Sequence, residues 1–388
     1  MSDLTGMTRR GFVRTAGVMT AGLGLGSVMG AAKAGAATAE SRRAAGQGLD
    51  TGTASRLDAA IRAVMKQASI PGSIVGLWMP GGSYVRVFGV ADKVTGASMR
   101  TGFYMRIGSE TKTFTVSAIL QLVDQGLIGL DDPIAKYIPD VPDGQQITIR
   151  ELARMQSGLY NYSANPQFAK ALYGDPYRPW TPEQLLAYSF SQPLNFPPGT
   201  GWEYSNTNTV LLGLVVELVS RQRLRDYLRD HIFRPFGLRH TLFPVGNEFP
   251  FPHAHGYSTD GLTGKPVDAT DWNPSWGWAA GAMISTLSDL RRWAPVLATG
   301  RGLLTPQTQA ERLQTVDSYG LGLFVVAGWT GHNGSLPGYQ SLTIYLPSEH
   351  ATLVILINTD NSYQDQEPST LLGEAITQIV TPDHVFRH

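Results

Sequence analysis

Met105-Arg106-Ile107-Gly108-Ser109-Glu110-Thr111-Lys112-Thr113-Phe114 is the stretch from which the rest of the chain can be read. Ser109 and Lys112 stand three residues apart, so on a helix they share one face. If that helix begins at the serine, the hydroxyl lies beside the free N–H groups of the first turn and the amine lies one turn deeper. A single turn can then supply a nucleophile, its base and half of an oxyanion hole. Ser-x-x-Lys alone is a short pattern that arises readily by chance, and on a surface helix it is only a polar start. Its surroundings give it weight. Gly108 precedes it directly, and Val116, Ile119, Leu120, Val123 and Leu127 follow at helical spacing, with Gly126 as a stop.

Working outward, Leu57, Ile61 and Val64 form one stripe of an earlier helix. Ile74–Met79 and Tyr84–Val90, divided by Gly81-Gly82, read as a two-stranded hairpin. The middle of the chain is helical and rich in loops. Thr148–Glu151 and Thr181–Gln184 are capping boxes, the latter with Pro182 at the first helical position, and Val210–Val219 suits a buried helix. A further amphipathic helix spans about Ser285–Gly300. Strand-like runs then return at Tyr319–Val326, Leu342–Leu346 and Leu353–Asn358, before a closing helix over Ser369–Val380. Strands at both ends with helices between predict an α+β fold. One antiparallel sheet is built from N- and C-terminal segments and flanked by helices, with a mainly helical lobe inserted over roughly 130–285. A cleft between lobes is the expected ligand site.

Two further elements carry chemistry. Tyr204-Ser205-Asn206 follows Pro198-Gly199 and precedes the buried helix, so it occupies a loop-to-helix junction from which side chains can enter a cleft. Its plain reading is an N-cap by Ser205 or Asn206, and a capped, rigid junction is also a sound mount for catalytic groups. His332-Asn333-Gly334-Ser335 lies between strand-like runs, and Gly334 would let a substrate approach the backbone. Its plain reading is an ordinary turn with an exposed histidine.

Composition bounds the function. A formal net charge of +0 and a pI near 7.1 argue against nucleic-acid or anionic-membrane partners. With no cysteine, disulfides, thiol catalysis and Cys-ligated metals are excluded. His253-x-His255 has no evident third ligand, so neither a metal nor a cofactor is expected. Residues 1–39 read as a twin-arginine signal peptide. Arg9-Arg10 precede an uncharged, glycine-rich stretch from Ala16 to Ala32, and Ala37-Thr38-Ala39 has a small-x-small cleavage form. Residues 40–54 read as a flexible leader and 55–385 as the catalytic domain. After cleavage the protein is expected outside the cytoplasm, periplasmic, wall-associated or secreted, without stable membrane insertion and as a monomer.

Taken together, the three elements resemble the penicillin-recognising serine hydrolases, whose boxes occur in the same order. Tyr-Ser-Asn and His-Asn-Gly as second and third boxes resemble the branch of class C β-lactamases and Streptomyces-type D-alanyl-D-alanine carboxypeptidases. Gln156–Tyr162, Pro198-Gly199, Tyr204–Asn208, His253–Tyr257 and Ala280–Ser285 add to the likeness. The resemblance implies Ser109 as acylated nucleophile, Lys112 as general base and Tyr204 as proton relay to the leaving group. It implies Asn206 as a holder of Lys112 and of the substrate amide, and the N–H groups of Ser109 and Ser335 as oxyanion hole. His332 would orient Tyr204 and supply partial positive charge, Asn333 and Gly334 would line the substrate strand, and Trp276 would wall the cleft. The implied substrates are D-Ala-D-Ala cell-wall peptides, with β-lactams, esters and amides as alternatives, and a non-catalytic penicillin-binding sensor as a third reading.

Two departures bear on specificity. His332 stands where the usual third box has a lysine, and an unperturbed histidine is mostly neutral at pH 7. Phe324 follows Gly320-Leu321-Gly322-Leu323, where the carboxypeptidases carry an arginine that reads the substrate's terminal carboxylate. An ester, amide or lactam substrate becomes more plausible than a peptide with a free C-terminus.

Overall fold

The computed structural model describes residues 48–259 and 265–387. The expected export segment lies outside the described residues. Helix α1 (Thr51–Gln67) starts inside the expected leader. Asp50 causes this, because its carboxylate accepts the Thr53 N–H at 2.9 Å and satisfies a first-turn donor.

The hairpin forms as β1 (Gly72–Met79) and β2 (Gly82–Gly89). Helix α2 (Thr111–Asp124) follows a single 3-10 turn, Gly108–Glu110. Helices α3 (Asn206–Ser220) and α4 (Leu287–Thr299) lie in the long middle segment. The chain closes with β3 (Phe324–Val326), β4 (Trp329–Leu336), β5 (Tyr339–Leu346), β6 (Ala351–Ile357) and α5 (Pro368–Val380). The sheet order is β2-β1-β6-β5-β4-β3, with every pair antiparallel. The first and last strands of the chain therefore meet at the β1–β6 seam, where Ile74 pairs with Leu356.

Both faces of this sheet are covered, which is why its central strands read as continuous apolar runs. Val75, Leu77, Ile355 and Ile357 face a core shared with Leu57, Ile61, Leu372 and Ile376 of α1 and α5. Ile74, Val354 and Leu356 face the opposite core, with Leu290 and Trp293 of α4 and Phe114 of α2. Each fully buried aliphatic side chain contributes roughly 1.5–3 kcal/mol.

Three local expectations are corrected. The strand over Tyr319–Val326 shrinks to Phe324–Val326, because Asp317 and Ser318 take φ of 48° and 65° and Gly322 takes 70°. Positive φ ends extended structure, and Tyr319 is instead turned towards His332. His332–Ser335 is no turn but part of β4, in register with β5 through His332–Thr343 and Gly334–Ser341. Gly331 and Gly334 dilute the apolar signal there. Leu127 is 52 % exposed, because Gly126 (φ 71°) ends the helical path before it. Both capping boxes form, with the Glu151 carboxylate on the Thr148 N–H at 2.7 Å.

Candidate active site

Ser109 sits on the 3-10 turn rather than inside the α-helix proper, and Lys112 is in the first turn of α2. Two glycines bring β4 against this turn. Gly108 has φ 50°, and a Cβ there would stand 2.7 Å from the Ser335 backbone nitrogen. A Cβ on Gly334 would stand 2.0 Å from the Ile107 carbonyl oxygen. Only glycine at both positions lets the strand carrying Ser335 run beside the serine. Below the turn, α2 is locked by polar contacts. The Thr115 hydroxyl donates to the Ala279 carbonyl at 2.7 Å, the Trp293 indole donates to Thr113 Oγ1 at 2.9 Å, and Arg312 donates to Ser117 Oγ at 3.0 Å.

Lys112 is fully buried. Its Nζ lies 3.0 Å from Ser109 Oγ, 2.7 Å from Asn206 Oδ1 and 2.8 Å from the Ala280 carbonyl oxygen. Burial holds its pKa well below the ordinary lysine range. The geometry also suits the neutral amine. Two of its partners are amide oxygens that can only accept, so the two N–H bonds go there and the lone pair faces the serine hydroxyl. The Tyr204 ring lies 4.8 Å from Nζ. The Tyr204 hydroxyl is buried, and burial pushes its pKa up against a smaller opposing effect of a hydrogen bond with Ser109. The phenol is therefore a proton donor at neutral pH.

A cavity of about 470 Å³ opens over this centre. Ser109, Tyr204, Asn206, Trp276, Phe324, His332, Asn333, Gly334 and Ser335 all line it, and Lys112 lies beneath its floor. Every sequence-predicted site residue is therefore gathered at one place. A cavity of similar size, about 490 Å³, lies between Trp180, Phe243 and Trp278 and contains neither Ser109 nor Tyr204.

The contacts differ in detail from the expected ones. Asn206 holds Lys112 as anticipated, but its amide nitrogen donates to Ser163 Oγ at 3.0 Å and its backbone N–H to Asn161 Oδ1 at 3.1 Å. His332 is only 2 % exposed. Its Nδ1 lies 2.5 Å from the Asn333 carbonyl oxygen, which can only accept, so Nδ1 carries a proton there, and its Nε2 lies 2.9 Å from the Tyr319 hydroxyl. The two ring nitrogens thus contact Tyr319 and Asn333. Asn333 donates to Glu367 Oε2 at 2.8 Å. Asn161, Ser163, Trp202, Asp317, Tyr319 and Glu367 are the lining residues that sequence reasoning missed. Asn161 was within reach, since it lies in the Gln156–Tyr162 segment already singled out, but Glu367 had no local signal. Away from the cavity, His255 pairs with Asp268 at 2.7 Å and His253 stacks on Phe249 at 4.2 Å. Among the described residues no group of three or more His, Cys, Asp or Glu could hold a metal.

The sequence profile of the Beta-lactamase family matches residues 57–375. The chain belongs to that family. Within this serine-hydrolase family, the chain is 30 % identical to a D-stereospecific amidohydrolase from Streptomyces sp., with a TM-score of 0.74 over 84 % of this chain and 98 % of that one. A D-amino acid amidase from Ochrobactrum anthropi SV3 is 26 % identical, with a TM-score of 0.72 over 84 % and 97 %. PbpX of Bacillus subtilis (strain 168), named as a penicillin-binding protein, is 27 % identical over 68 % of this chain and 63 % of its own length. The chain thus spans less than two thirds of that relative.

The family site allows a direct test of the base. Asn206→Asp places a carboxylate on the lysine amine, which favours the ammonium form and raises its pKa by about 1–3 units. The alkaline-rising limb of the acylation rate should move up by the same amount, so that at any pH below the wild-type midpoint the rate should fall about 10- to 1000-fold. A pH profile of single-turnover acylation measures this, and an unmoved limb would remove Lys112 from the base role.

Proposed function

We propose that the protein hydrolyses amide or ester bonds of D-configured aminoacyl substrates through an acyl-serine intermediate. The observation that carries this reading is the 3.0 Å contact of Ser109 Oγ with a buried lysine amine whose other two partners are amide oxygens. Ser109 Oγ attacks the substrate carbonyl carbon while its proton passes to Lys112 Nζ. The N–H groups of Ser109 and Ser335 receive the oxyanion, the Ser335 nitrogen lying against Gly108, the residue before the nucleophile. Tyr204 gives its proton to the departing nitrogen or oxygen, and the C–N or C–O bond breaks. Lys112 returns a proton to Tyr204. Water then attacks the acyl-enzyme by the reverse path, releasing the acid and restoring Ser109.

The two similar D-amino acid hydrolases support the choice of acyl group. Phe324 supports it too, being apolar, fully buried and 5.6 Å from the His332 ring. Among the described residues the cavity wall carries no arginine or lysine to read a terminal carboxylate. A second reading, a D-alanyl-D-alanine carboxypeptidase of cell-wall peptides that β-lactams acylate, is favoured by the relative named as a penicillin-binding protein. Export by the twin-arginine route and a monomeric state belong to the same proposal, the former supported by Arg9-Arg10 and Ala37-Thr38-Ala39. Among the described residues no helix is long and apolar enough to cross a membrane.

Parallel assays decide between the readings. D-phenylalaninamide should release ammonia, a D-Ala-D-Ala peptide should release D-alanine far more slowly, and Ser109→Ala should do neither. Faster release of D-alanine than of ammonia would reverse the order. Turnover by Ser109→Ala would end the acyl-serine mechanism.

A further inference from the structure

Glu367 stands at the position just before α5, where Ser, Thr, Asp or Asn would cap the helix. It makes no capping bond. Its carboxylate instead accepts from Asn333 Nδ2 at 2.8 Å and lines the cavity that holds Ser109. Burial raises its pKa above the ordinary glutamate range. A carboxyl so placed has lost most of its water, with one amide as its protein hydrogen-bond donor, and a cation would favour its ionised form. Glu367 also acts on the Tyr204 phenol electrostatically, raising its pKa.

The register gives this carboxylate a position relative to the chemistry. Asn333 and Ser335 are alternate residues of β4 and present the same face. Through Asn333, Glu367 is held against the same strand face that carries Ser335, inside the cavity that both line. An α-amino acid whose carbonyl is bound at the Ser335 N–H carries its amine roughly 3 Å from its oxygen, within the cavity that Glu367 also lines. Asp317 on the cavity rim adds a second carboxylate. A substrate carboxylate would meet repulsion in this corner, and an ammonium group would meet attraction.

We propose that Glu367, supported by Asn333, is the specificity-determining anchor for a free α-ammonium group, so that the substrates are aminoacyl amides or esters with an unacylated amine. This rests on the acyl-serine reading of the same site. The bound ammonium forms a charge-assisted hydrogen bond with the carboxylate and places the carbonyl carbon over Ser109. It also offsets the field that holds the Tyr204 proton, easing transfer to the leaving group.

The test uses D-phenylalaninamide and N-acetyl-D-phenylalaninamide as competitors against labelling of Ser109 by p-nitrophenyl acetate, read by intact mass. In wild type the free amine should protect at a concentration about tenfold lower than the acetylated amide. Glu367→Gln should raise the free-amine value about tenfold and equalise the two compounds, and Glu367→Asp should recover part of the preference. Equal protection by both compounds in wild type would overturn the anchor, and that comparison needs no variant. A Glu367→Gln loss shared equally by both compounds would also overturn it, since that marks a structural strut. Wild type that takes no label at Ser109 would sink the acyl-serine reading instead. Calorimetric binding of the same two competitors then reads the anchor without turnover, with the same tenfold preference expected and equal affinity overturning it.

Discussion

Lys112→Ala should lower the acylation rate of Ser109 by about 10²–10⁴-fold, the range set by loss of a positioned general base. The amine is the group the serine hydroxyl faces at 3.0 Å, and burial is what lowers its pKa. A lysine in water would be protonated at pH 7 and could not accept the proton. The wild-type acylation rate should therefore rise with pH through a midpoint well below 10.5, and this limb should be missing from the variant. The fold should survive, because removing the amine also removes a group whose charged form burial disfavours. Intact mass after mixing with a p-nitrophenyl ester gives the rate, and circular dichroism checks the fold. Near-wild-type acylation by Lys112→Ala would assign the base elsewhere.

The second large effect concerns stability rather than rate. Glu110, next to the nucleophile, is 1 % exposed and packs against Ser341 and Thr343. One of its carboxylate oxygens has no partner. Burial pushes its pKa from 4.5 up to about 8. A carboxyl whose folded pKa is raised binds its proton more tightly in the native state. Its contribution is complete below pH 4.5 and is lost as pH rises through about 8. Between pH 5 and pH 8 the wild type should lose about 3 kcal/mol relative to Glu110→Gln, whose amide does not titrate. The difference isolates Glu110, because Lys112 is present in both proteins. Urea unfolding at the two pH values measures it, and parallel stability curves would show that Glu110 is already ionised in the native state.

This second effect marks a limit of reading by sequence. Ser109 and Lys112 could be paired from their spacing, since three residues on a helix fix two side chains on one face. Nothing in that spacing says that Glu110, between them, points the other way into the sheet. The apolar runs of β1, β5 and β6 and the helices α1 to α5 were legible because burial imposes a period on the chain. Strand β4 was not, because its glycines answer to close backbone neighbours, Gly334 to the Ile107 carbonyl across the site and Gly331 to the Thr343 carbonyl of β5, rather than to a core. Phe324 was recognised as a departure from its position alone. That no arginine or lysine among the described residues lines the cavity in its place emerged only with the structure.

The sequence by itself determined the local chemistry of this protein: a serine, a lysine one helical turn away, a tyrosine and an asparagine at a helix start, and strands at both chain ends. Each of these depends on residues near one another along the chain. The tertiary structure alone decided what those groups can do. It buried Lys112 between two amide oxygens, turned His332 onto Tyr319, and carried Glu367 from the head of the last helix to Asn333. Proton affinity and substrate charge preference depend on solvent exclusion and on neighbours distant in sequence, and only the closed sheet with its packed helices supplies both.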